Sequence, residues 1–380
     1  MTKMFDRFLK NPDAVSCGQD SACCGSQGDG ESACSAPRLP SLKTHPWVTG
    51  AKATPAGDVP LVTSKLRFAD RAGSWRARWG IGRMRYSVPP GLYGIGSPDA
   101  HSPVFVTANY KMTFDRVRAS LRGRDGWILV LDTKGINVWC AAGKGTFGTD
   151  EIVRRVEMTG LARAVNHRTL ILPQLGAPGV AAHEVTRRTK FRVIYGPVRA
   201  EDIPAFLDAG MTATPAMRKV SFTLRDRIVL IPEEVVAVLV NKVFWVILAV
   251  WALGLAGVKI FSLDMPAILG AILVGTVVVP LLLPWIPVRP FALKGWLLGI
   301  IGTVAYLAAY GLPVSPAGWV SAASSLLLLP AVSAFLAMGF TGTSTITSLS
   351  GVVKEMKTAV PLMIASAALG VAAMITSAFL

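Results

Sequence analysis

The sequence predicts an α/β domain of the doubly wound (Rossmann-like) class, followed by an all-α transmembrane domain with five helices. The first prediction rests on short apolar runs that alternate with charged, amphipathic segments from Pro103 onward, because strands alternating with helices form a mainly parallel sheet. The second rests on five long apolar stretches after Pro232, each near the roughly 20 residues that a helix needs to cross a bilayer. A chain of 380 residues that is 52% hydrophobic and only 16% charged agrees with this division.

Composition divides the chain into four parts. Residues 1–60 are rich in Gly, Ser, Pro and Asp without periodicity, so we expect a disordered arm, and residues 61–102 form an irregular lead-in. Residues 103–234 are the α/β domain and residues 235–380 the transmembrane domain. The arm carries four of the five cysteines: Cys17, Cys23, Cys24 and Cys34. Their spacing is not that of a zinc or iron–sulfur site, and the first residues lack the apolar core of a signal peptide, so we expect a reducing cytoplasm.

The α/β domain is expected to place three loops at one edge of its sheet. The expected strands are 103–106, 127–131, 169–172, 191–195 and 227–231, and the expected helices are 113–122, 150–161, 180–188 and 201–209. In such sheets ligands bind outside the carboxyl ends of the strands, so loops 132–144, 173–179 and 196–198 should meet there. The last two are rich in Gly and Pro, which lets backbone approach a flat ligand closely. Each loop taken alone fits an ordinary tight turn equally well.

The five apolar stretches predict the topology in the membrane. They cover roughly residues 238–258, 265–285, 292–312, 317–339 and 359–379. Basic residues flank alternate connections, with Lys242 before the first stretch, Arg289 and Lys294 between the second and third, and Lys354 and Lys357 before the fifth. The positive-inside rule therefore predicts a multi-pass protein of the cytoplasmic (inner) membrane, with the α/β domain in the cytoplasm and the C-terminus outside. The hydroxyl-rich loop 340–350 either contacts the soluble domain, handles an ion or is simply solvated.

One stretch of eight residues, Asn137-Val138-Trp139-Cys140-Ala141-Ala142-Gly143-Lys144, contains the single cysteine beyond residue 34. Asn137 is a favourable N-cap, so a short helix should begin there with Cys140 at its third position. At that position the N–H groups and the dipole of the helix stabilise a thiolate. A lone cysteine is more often a small buried residue, but the Gly-rich, turn-rich flanks and the bulky Trp139 favour a functional role.

Charge and motif spacing exclude several classes of function. Most of the net charge of +16 lies before Val235, and this balance suits anionic headgroups, an acidic partner or, equally, a merely solvated surface. No nucleic-acid motif is present, so we expect no nucleic-acid partner. Gly143-Lys144 lacks the other residues of a phosphate loop, and no Gly-x-Gly-x-x-Gly opens the first helix. The four histidines, His45, His101, His167 and His183, have no metal-ligand spacing. The candidate left after these exclusions is a thiolate at the edge of an α/β sheet, which is able to bind a metal.

The eight-residue stretch resembles the signature of the HgcA family, the corrinoid proteins of microbial mercury methylation, which is related to the corrinoid iron–sulfur protein family. Three further stretches are similar to that family: Leu172 to Gly179, Tyr195 to Arg199, and Phe340 to Gly351 followed by Lys354-Glu355-Met356. The resemblance extends from about residue 103 to the end of the chain and includes the five apolar stretches. The cysteine-containing arm lies outside it.

The resemblance implies a cobalamin-type corrinoid bound base-off at the edge of the sheet, with Cys140 as the catalytic residue and the lower axial ligand of cobalt. It also implies a methyltransferase, in which cobalt accepts a methyl group from a methyltetrahydrofolate-linked donor and Hg(II) takes it to form methylmercury. A ferredoxin-like partner with 4Fe–4S clusters would return the cobalt to its reduced state. A thiolate is a strong, polarisable donor, which favours departure of the methyl group as a carbanion equivalent.

The residues expected at the corrinoid are Asn137, Val138, Trp139, Cys140, Ala141, Ala142, Gly143 and Lys144 in the motif, and Gln174, Leu175, Gly176, Gly196 and Pro197 in the loops. Asn137 would cap the short helix, Trp139 would pack it, and Lys144 would meet an acidic or amide group at the corrinoid edge. Two other classes compete. A membrane-anchored thiol redox protein using Cys140 would need a second thiol from the arm, and a transport or binding module would need a polar path through the spans.

Overall fold

A computed structural model describes residues 45–255, 264–310, 313–342, 349–377 and 379–380. Within these ranges the chain forms a mixed α/β sheet domain followed by a region of apolar helices. Residues 1–44, with most of the expected arm and its four cysteines, lie outside the described residues.

Seven strands form one sheet. They are β1 (Val48–Thr54), β2 (Gly57–Val62), β3 (Gly91–Ile95), β4 (Val104–Ala108), β5 (Gly126–Leu131), β6 (Thr169–Leu172) and β7 (Arg192–Tyr195). Their order in the sheet is β1-β2-β3-β5-β4-β6-β7. The four strands β5, β4, β6 and β7 run parallel, as predicted, whereas β3 is antiparallel to β5 and β1 is antiparallel to β2. The sheet is therefore mixed, with its parallel part in the region that the alternating pattern identified.

The arm and the lead-in were predicted wrongly where the structure describes them. Strands β1 and β2 form a hairpin within residues 45–62, and β3 is a fully buried strand. These strands were missed because all three contain glycine and β2 also contains a proline, and both residues weaken the strand pattern. Glycine is nevertheless required at Gly94, since a Cβ there would lie 2.7 Å from Leu61 Cδ2 and 3.0 Å from Pro98 Cγ.

Helices cover the sheet and link its strands. In the α/β domain they are α1 (Phe68–Arg78), α2 (Lys111–Ser120), α3 (Val138–Gly143), α4 (Thr149–Met158), α5 (Leu161–Ala164), α6 (Ala182–Thr189), α7 (Ile203–Asp208) and α8 (Pro215–Arg218). Short 3₁₀ turns occupy Arg83–Arg85, Gln174–Gly179 and Ala200–Asp202. The predicted helices between residues 113 and 209 are present, with ends shifted by a few residues. The main core lies between the sheet and α4 to α6, around Leu129, Ile152, Leu170 and Val185.

The predicted strand at 227–231 is wrong, because these residues lie within α9 (Leu224–Leu239). A short apolar run cannot be assigned to a strand or a helix by periodicity alone. The local start signal decides the outcome: Thr223 is the N-cap, its hydroxyl accepts from Asp226 N, and the Asp226 carboxylate accepts from Thr223 N at 2.9 Å. This reciprocal capping box fixes the first turn of the helix.

The remaining helices are apolar. They are α10 (Lys242–Leu255), α11 (Met265–Leu273), α12 (Val279–Leu282), α13 (Phe291–Tyr310), α14 (Pro316–Gly339) and α15 (Leu349–Ser377), with a π-helical turn at Val274–Val278 joining α11 to α12. By length and composition, four single helices of the described residues are able to cross a membrane, namely 265–282, 291–310, 316–339 and 351–377. The first predicted span, 238–258, coincides in part with α10, which forms with α9 a pair bent by 60°; the count reaches five if this pair is one span. Within the hydroxyl-rich loop, residues 343–348 lie outside the described residues.

A buried ion network joins α1 to α2. Lys111 Nζ donates to Asp70 at 2.8 Å and to Asp115 at 2.7 Å, and the guanidinium of the fully buried Arg118 donates to the same two carboxylates at 2.8 and 2.7 Å. Arg118 also donates to the carbonyl of Thr63 at 2.7 Å. Two cations and two carboxylates thus satisfy one another away from water, and the network fixes α1 on the domain.

The charge of Asp70 makes this network sensitive to acid. Burial alone would raise the pKa of Asp70. Hydrogen bonds from Lys111 and from the backbone of Arg67 outweigh burial, so the pKa of Asp70 lies below its ordinary value of 3.8. A carboxylate with a lowered pKa in the folded state stabilises that state above its ordinary pKa. The contribution of Asp70 is therefore present at neutral pH and is lost as the pH falls through its lowered pKa.

We predict that Asp115→Ala lowers the free energy of unfolding of the α/β domain by about 3–5 kcal/mol, because it leaves two buried cations short of an acceptor. The matched control is Asp208→Ala, which removes an exposed ion pair with Arg124 and should cost no more than about 1 kcal/mol. Pulse proteolysis of the detergent-solubilised full chain across a urea series measures both. Equal effects of the two substitutions would contradict a stabilising role for the network.

Candidate functional site

A cavity of about 650 Å³ lies at the carboxyl ends of the parallel strands. The strand order reverses beside β4, which has β5 on one side and β6 on the other, and such a reversal opens a crevice for ligands. Residues of β4 and β6 form the floor of the cavity, including Val106, Thr107, Ile171 and Leu172. The three predicted loops contribute to its wall, so their convergence at one edge of the sheet is confirmed.

The short helix α3, which we call the cap helix, brings Cys140 to the cavity. Asn137 is its N-cap, and the Asn137 side-chain oxygen accepts a hydrogen bond from Cys140 N at 2.9 Å, as predicted. Val138 is buried in the core beneath the helix, which fixes the helix on the sheet. Cys140 is a free cysteine, partly buried, in the cavity wall.

Two glycines let the turn Gln174–Gly179 lie directly against the cap helix. A Cβ on Gly179 would lie 2.3 Å from the carbonyl oxygen of Phe147 and 3.0 Å from Ala142 Cα. A Cβ on Gly176 would lie 2.5 Å from the ring of Phe147. Space rather than backbone conformation requires glycine at both positions, since neither has a positive φ. The turn therefore holds the cap helix, and with it Cys140, over the strand ends.

The opposite wall comes from the third loop and from α9. Gly196, Pro197 and Val198 line the cavity, and so do Phe222 and Val229. The Arg199 guanidinium donates to Asp226 at 2.7 Å, which ties the loop after β7 to the first turn of α9. The α/β domain and the first helix of the helical region therefore build one site together.

The sequence-predicted residues divide into two groups. Those in the cavity wall are Asn137, Val138, Trp139, Cys140, Leu175, Gly196 and Pro197. Those outside the wall are Ala141, Ala142, Gly143, Lys144, Gln174 and Gly176. Ala141 and Ala142 belong to the core and Gly176 packs on Phe147, so these three act by supporting the cap helix. The Gln174 side chain accepts from Arg218 at 2.8 Å instead of facing the cavity.

Two predicted side-chain roles differ in the structure. Trp139 was expected to pack the cap helix, but its side chain is 37% exposed and lines the cavity. Lys144 is the exposed C-cap of the same helix and does not line the cavity. The part of the helix that lines the cavity ends at Cys140, so Lys144 lies beyond the cavity edge.

The cavity is rich in arginine, which sequence reasoning missed. Arg78 and Arg83 come from the region assigned to an irregular lead-in, and Arg225 comes from α9. Arg83 forms an ion pair with Glu233, whereas neither Arg78 nor Arg225 has an ion-pair partner among the described residues. Burial lowers the pKa of Arg78, and the nearby charges of Arg116 and Arg225 act in the same direction. The wall therefore carries positive charge that an anionic or strongly polar ligand would neutralise.

A buried hydroxyl in the cavity floor lacks a partner. Thr107 on β4 is 1% exposed, and within the described ranges its Oγ1 is a buried side-chain oxygen with no hydrogen bond. Buried polar atoms are usually paired, so an orphan of this kind in a cavity wall indicates a position where a ligand group hydrogen-bonds.

Comparison with known proteins gives a match for the cavity-bearing domain. Residues 82–207 match the family model of the CO dehydrogenase/acetyl-CoA synthase delta subunit. This range contains β3 to β7, the cap helix and the turn Gln174–Gly179, and it ends before α9.

Curated relatives agree with that match. The chain is 35% identical over 128 residues to an acetyl-CoA decarbonylase/synthase complex subunit gamma of Methanopyrus kandleri, which covers 33% of this chain and 27% of the relative. It is 34% identical over 128 residues to the same subunit of Archaeoglobus fulgidus, with the same coverage, and 40% identical over 98 residues to that of Methanocaldococcus jannaschii, covering 25% and 20%. The chain thus spans about a quarter of the length of these relatives or less, and the similarity concerns the α/β domain.

We predict that Gly179→Ala displaces the cap helix and exposes Cys140, because the added methyl group has no room beside Ala142 and Phe147. The matched control is Gly143→Ala in the cap helix itself, where an added Cβ meets nothing within 4 Å. Rates of Cys140 modification by a thiol reagent, measured with Cys17, Cys23, Cys24 and Cys34 replaced by serine, should rise for Gly179→Ala and stay at the parent value for Gly143→Ala. Unchanged reactivity in Gly179→Ala would show that the turn does not hold the helix.

Proposed function

We propose that this chain is a membrane-anchored, corrinoid-dependent methyltransferase that transfers a methyl group to Hg(II), with Cys140 as the lower axial ligand of cobalt. The observation that carries the proposal is the position of the Cys140 thiol, in the wall of a cavity at the strand ends of the segment that matches a CO dehydrogenase/acetyl-CoA synthase subunit family. That family and the gamma-subunit relatives support a role in corrinoid methyl transfer.

The chemistry of the cavity supports a corrinoid. Its volume of about 650 Å³ suits an organic group, such as part of a macrocycle, rather than a bare ion. The unpaired Thr107 hydroxyl matches the peripheral amides of a cobalamin-type corrinoid, and the guanidinium groups of Arg78 and Arg225 match its phosphate and amide oxygens. Trp139 and Leu175 supply apolar surface on which a flat macrocycle can rest. The charge and polarity of the wall therefore support the proposed ligand.

The protein's contribution is to hold one sulfur donor in a fixed position. When bound, the corrinoid supplies a cobalt centre that carries the methyl group and releases it to Hg(II). Asn137 fixes the first turn of the cap helix, and the turn Gln174–Gly179 packs against the helix, so the backbone that carries Cys140 is held in place. A thiolate donates electron density more strongly than the nitrogen or oxygen ligands available in proteins, which favours departure of a methyl group with its bonding electrons to an electrophile such as Hg(II).

Mercury as the acceptor is supported by the motif rather than by the relatives. The stretch from Asn137 to Lys144 resembles the HgcA signature, and the stretches 172–179 and 195–199 that resemble the same family lie at the cavity. Four single apolar helices and one bent pair in the described part of the chain support anchoring in a membrane. The proposal of the cytoplasmic membrane, with the α/β domain in the cytoplasm, rests on the distribution of basic residues along the sequence. We further propose a methyltetrahydrofolate-linked methyl donor and a ferredoxin-like 4Fe–4S reductant as partners, in keeping with relatives that are named as subunits of a complex.

We predict that the purified full chain binds cobalamin with a visible spectrum that depends on Cys140. Cys140→Ala should abolish methylmercury formation and shift the spectrum of the bound Co(III) corrinoid, because it removes the lower ligand without removing the cavity. Absorption spectroscopy of the reconstituted wild type and variant measures the ligation, and the mercury assay measures the reaction. The control replaces Cys17, Cys23, Cys24 and Cys34 by serine and should behave as wild type.

The outcomes separate this proposal from a thiol redox function. If no corrinoid binds to the folded protein, the assignment of the cofactor is wrong and a redox role of Cys140 takes its place. If corrinoid binds but the spectrum of Cys140→Ala equals that of wild type, the thiolate is not the ligand.

We predict that Thr107→Val weakens corrinoid binding by about 0.5–1.5 kcal/mol, or roughly twofold to tenfold, while leaving the stability of the cofactor-free protein unchanged or raised. The substitution removes a hydroxyl that has no partner in the fold, so the fold loses nothing. The contrasting control is Thr133→Val, whose hydroxyl lies 2.8 Å from Asn109 Oδ1 and 2.7 Å from the Ile136 carbonyl. That variant should unfold more easily. Titration of corrinoid absorbance and urea unfolding measure the two effects, and undiminished affinity in Thr107→Val would remove Thr107 from the site.

A further inference from the structure

We propose that the segment from Arg67 to Arg85, here called the interfacial surface, lies on the anionic headgroups of the same membrane that the apolar helices cross. The inference rests on the proposed membrane anchoring and adds to it a second contact, made by the α/β domain itself. The segment lies outside both the motif of Cys140 and the cavity floor, and most of its exposed side chains have no role in either.

The apolar side chains of the interfacial surface form one exposed stripe. Phe68, Trp75 and Trp79 are spaced by seven and then four residues, so they lie on one face of α1 and its C-cap, and they are 76%, 56% and 53% exposed. The stripe continues past the helix with Ile81 and Met84, which are also exposed. Large apolar residues in such an uninterrupted patch mark an interaction site, and tryptophan in particular is enriched at the membrane–water interface.

The charges beside this stripe are all positive. Arg67, Arg71, Arg76 and Arg85 are exposed, and their guanidinium groups make no ion pair in the described part of the chain. The single acidic residue of the segment, Asp70, is turned into the buried network, where it accepts from Lys111 and Arg118 at 2.8 Å. Lys111 and Arg118 thus neutralise the one negative charge of the segment, which would otherwise repel an anionic partner.

The interfacial surface is fixed next to the apolar helices. Arg83 forms an ion pair with Glu233 of α9, and a Cβ on Gly80 would lie 3.8 Å from Val236 of the same helix. Helix α9 is in turn attached to the span 265–282, because the buried Arg227 donates to the carbonyls of Pro280 and Leu281. The surface is therefore continuous with the membrane-crossing part of the chain.

These observations favour a lipid surface over a protein partner. Exposed arginines beside tryptophan and phenylalanine are the composition of helices that lie in the headgroup region, where anionic lipid attracts the basic side chains and the rings enter the acyl boundary. The adjoining span already holds the interfacial surface near the bilayer, because both belong to one chain. Contact with lipid therefore needs no separate association step. A protein docking on this face is the competing outcome of the test.

The test uses tryptophan emission of the full chain in proteoliposomes. Vesicles with a third of anionic lipid and a brominated acyl chain are compared for wild type, Trp75→Phe/Trp79→Phe and, as the control, Trp139→Phe in the cavity. We expect the brominated lipid to quench the emission of Trp75 and Trp79. The double variant should therefore show less quenching than the wild type, whereas Trp139→Phe should show as much as the wild type. Arg71→Gln/Arg76→Gln should reduce the quenching in anionic vesicles and leave it unchanged in neutral ones.

Flotation after a carbonate wash tests the membrane anchoring separately from the interfacial surface. Protein that fails to float with the vesicles contradicts the membrane anchoring on which the inference rests. Protein that floats, but whose Trp75 and Trp79 emission is quenched by aqueous iodide and not by brominated lipid, overturns the interfacial surface alone and leaves this face to a protein partner.

Discussion

The close approach of the turn Gln174–Gly179 to the cap helix is the constraint on which the site depends. Glycine at Gly176 and Gly179 lets backbone and aromatic ring approach where any side chain would collide with Phe147 or Ala142. The Asn137 side chain then fixes the first turn of the helix through Cys140 N. These contacts place one thiol at the point where the strand order of the sheet reverses, with the cavity floor of β4 and β6 beneath it.

The second half of the site comes from beyond the α/β fold. Helix α9 closes the cavity, and its ion pairs with Arg83 and Arg199 attach it to two separate parts of the domain. The same helix is anchored at Arg227 to the carbonyls that follow the π-helical turn. One element therefore connects the cavity to the apolar helices, and the family match to residues 82–207 does not include it.

The sequence predicted the parts of the fold whose pattern is local and strong. Alternating apolar runs identified the parallel strands and their helices, and Asn137 identified the start of the cap helix, because N-capping depends on a few adjacent residues. It missed β1 to β3, where glycines weaken the strand pattern, and it assigned the first part of α9 to a strand because a run of four apolar residues, 228–231, fits both structures. The sequence could not predict that the arginines and Thr107 line the cavity, because tertiary contacts alone decide which polar groups lack a partner.

A thiol on a fixed helix, together with a hydroxyl and guanidinium groups that have no partner among the described residues, lines one cavity. The proposed methyl-transfer function depends on the position of Cys140, because its sulfur would be the protein's ligand to cobalt. X-ray absorption at the cobalt edge of the corrinoid-loaded full chain tests this most directly. The account predicts a sulfur neighbour of cobalt in the wild type that disappears in Cys140→Ala. A wild-type cobalt surrounded by nitrogen and oxygen alone would contradict it.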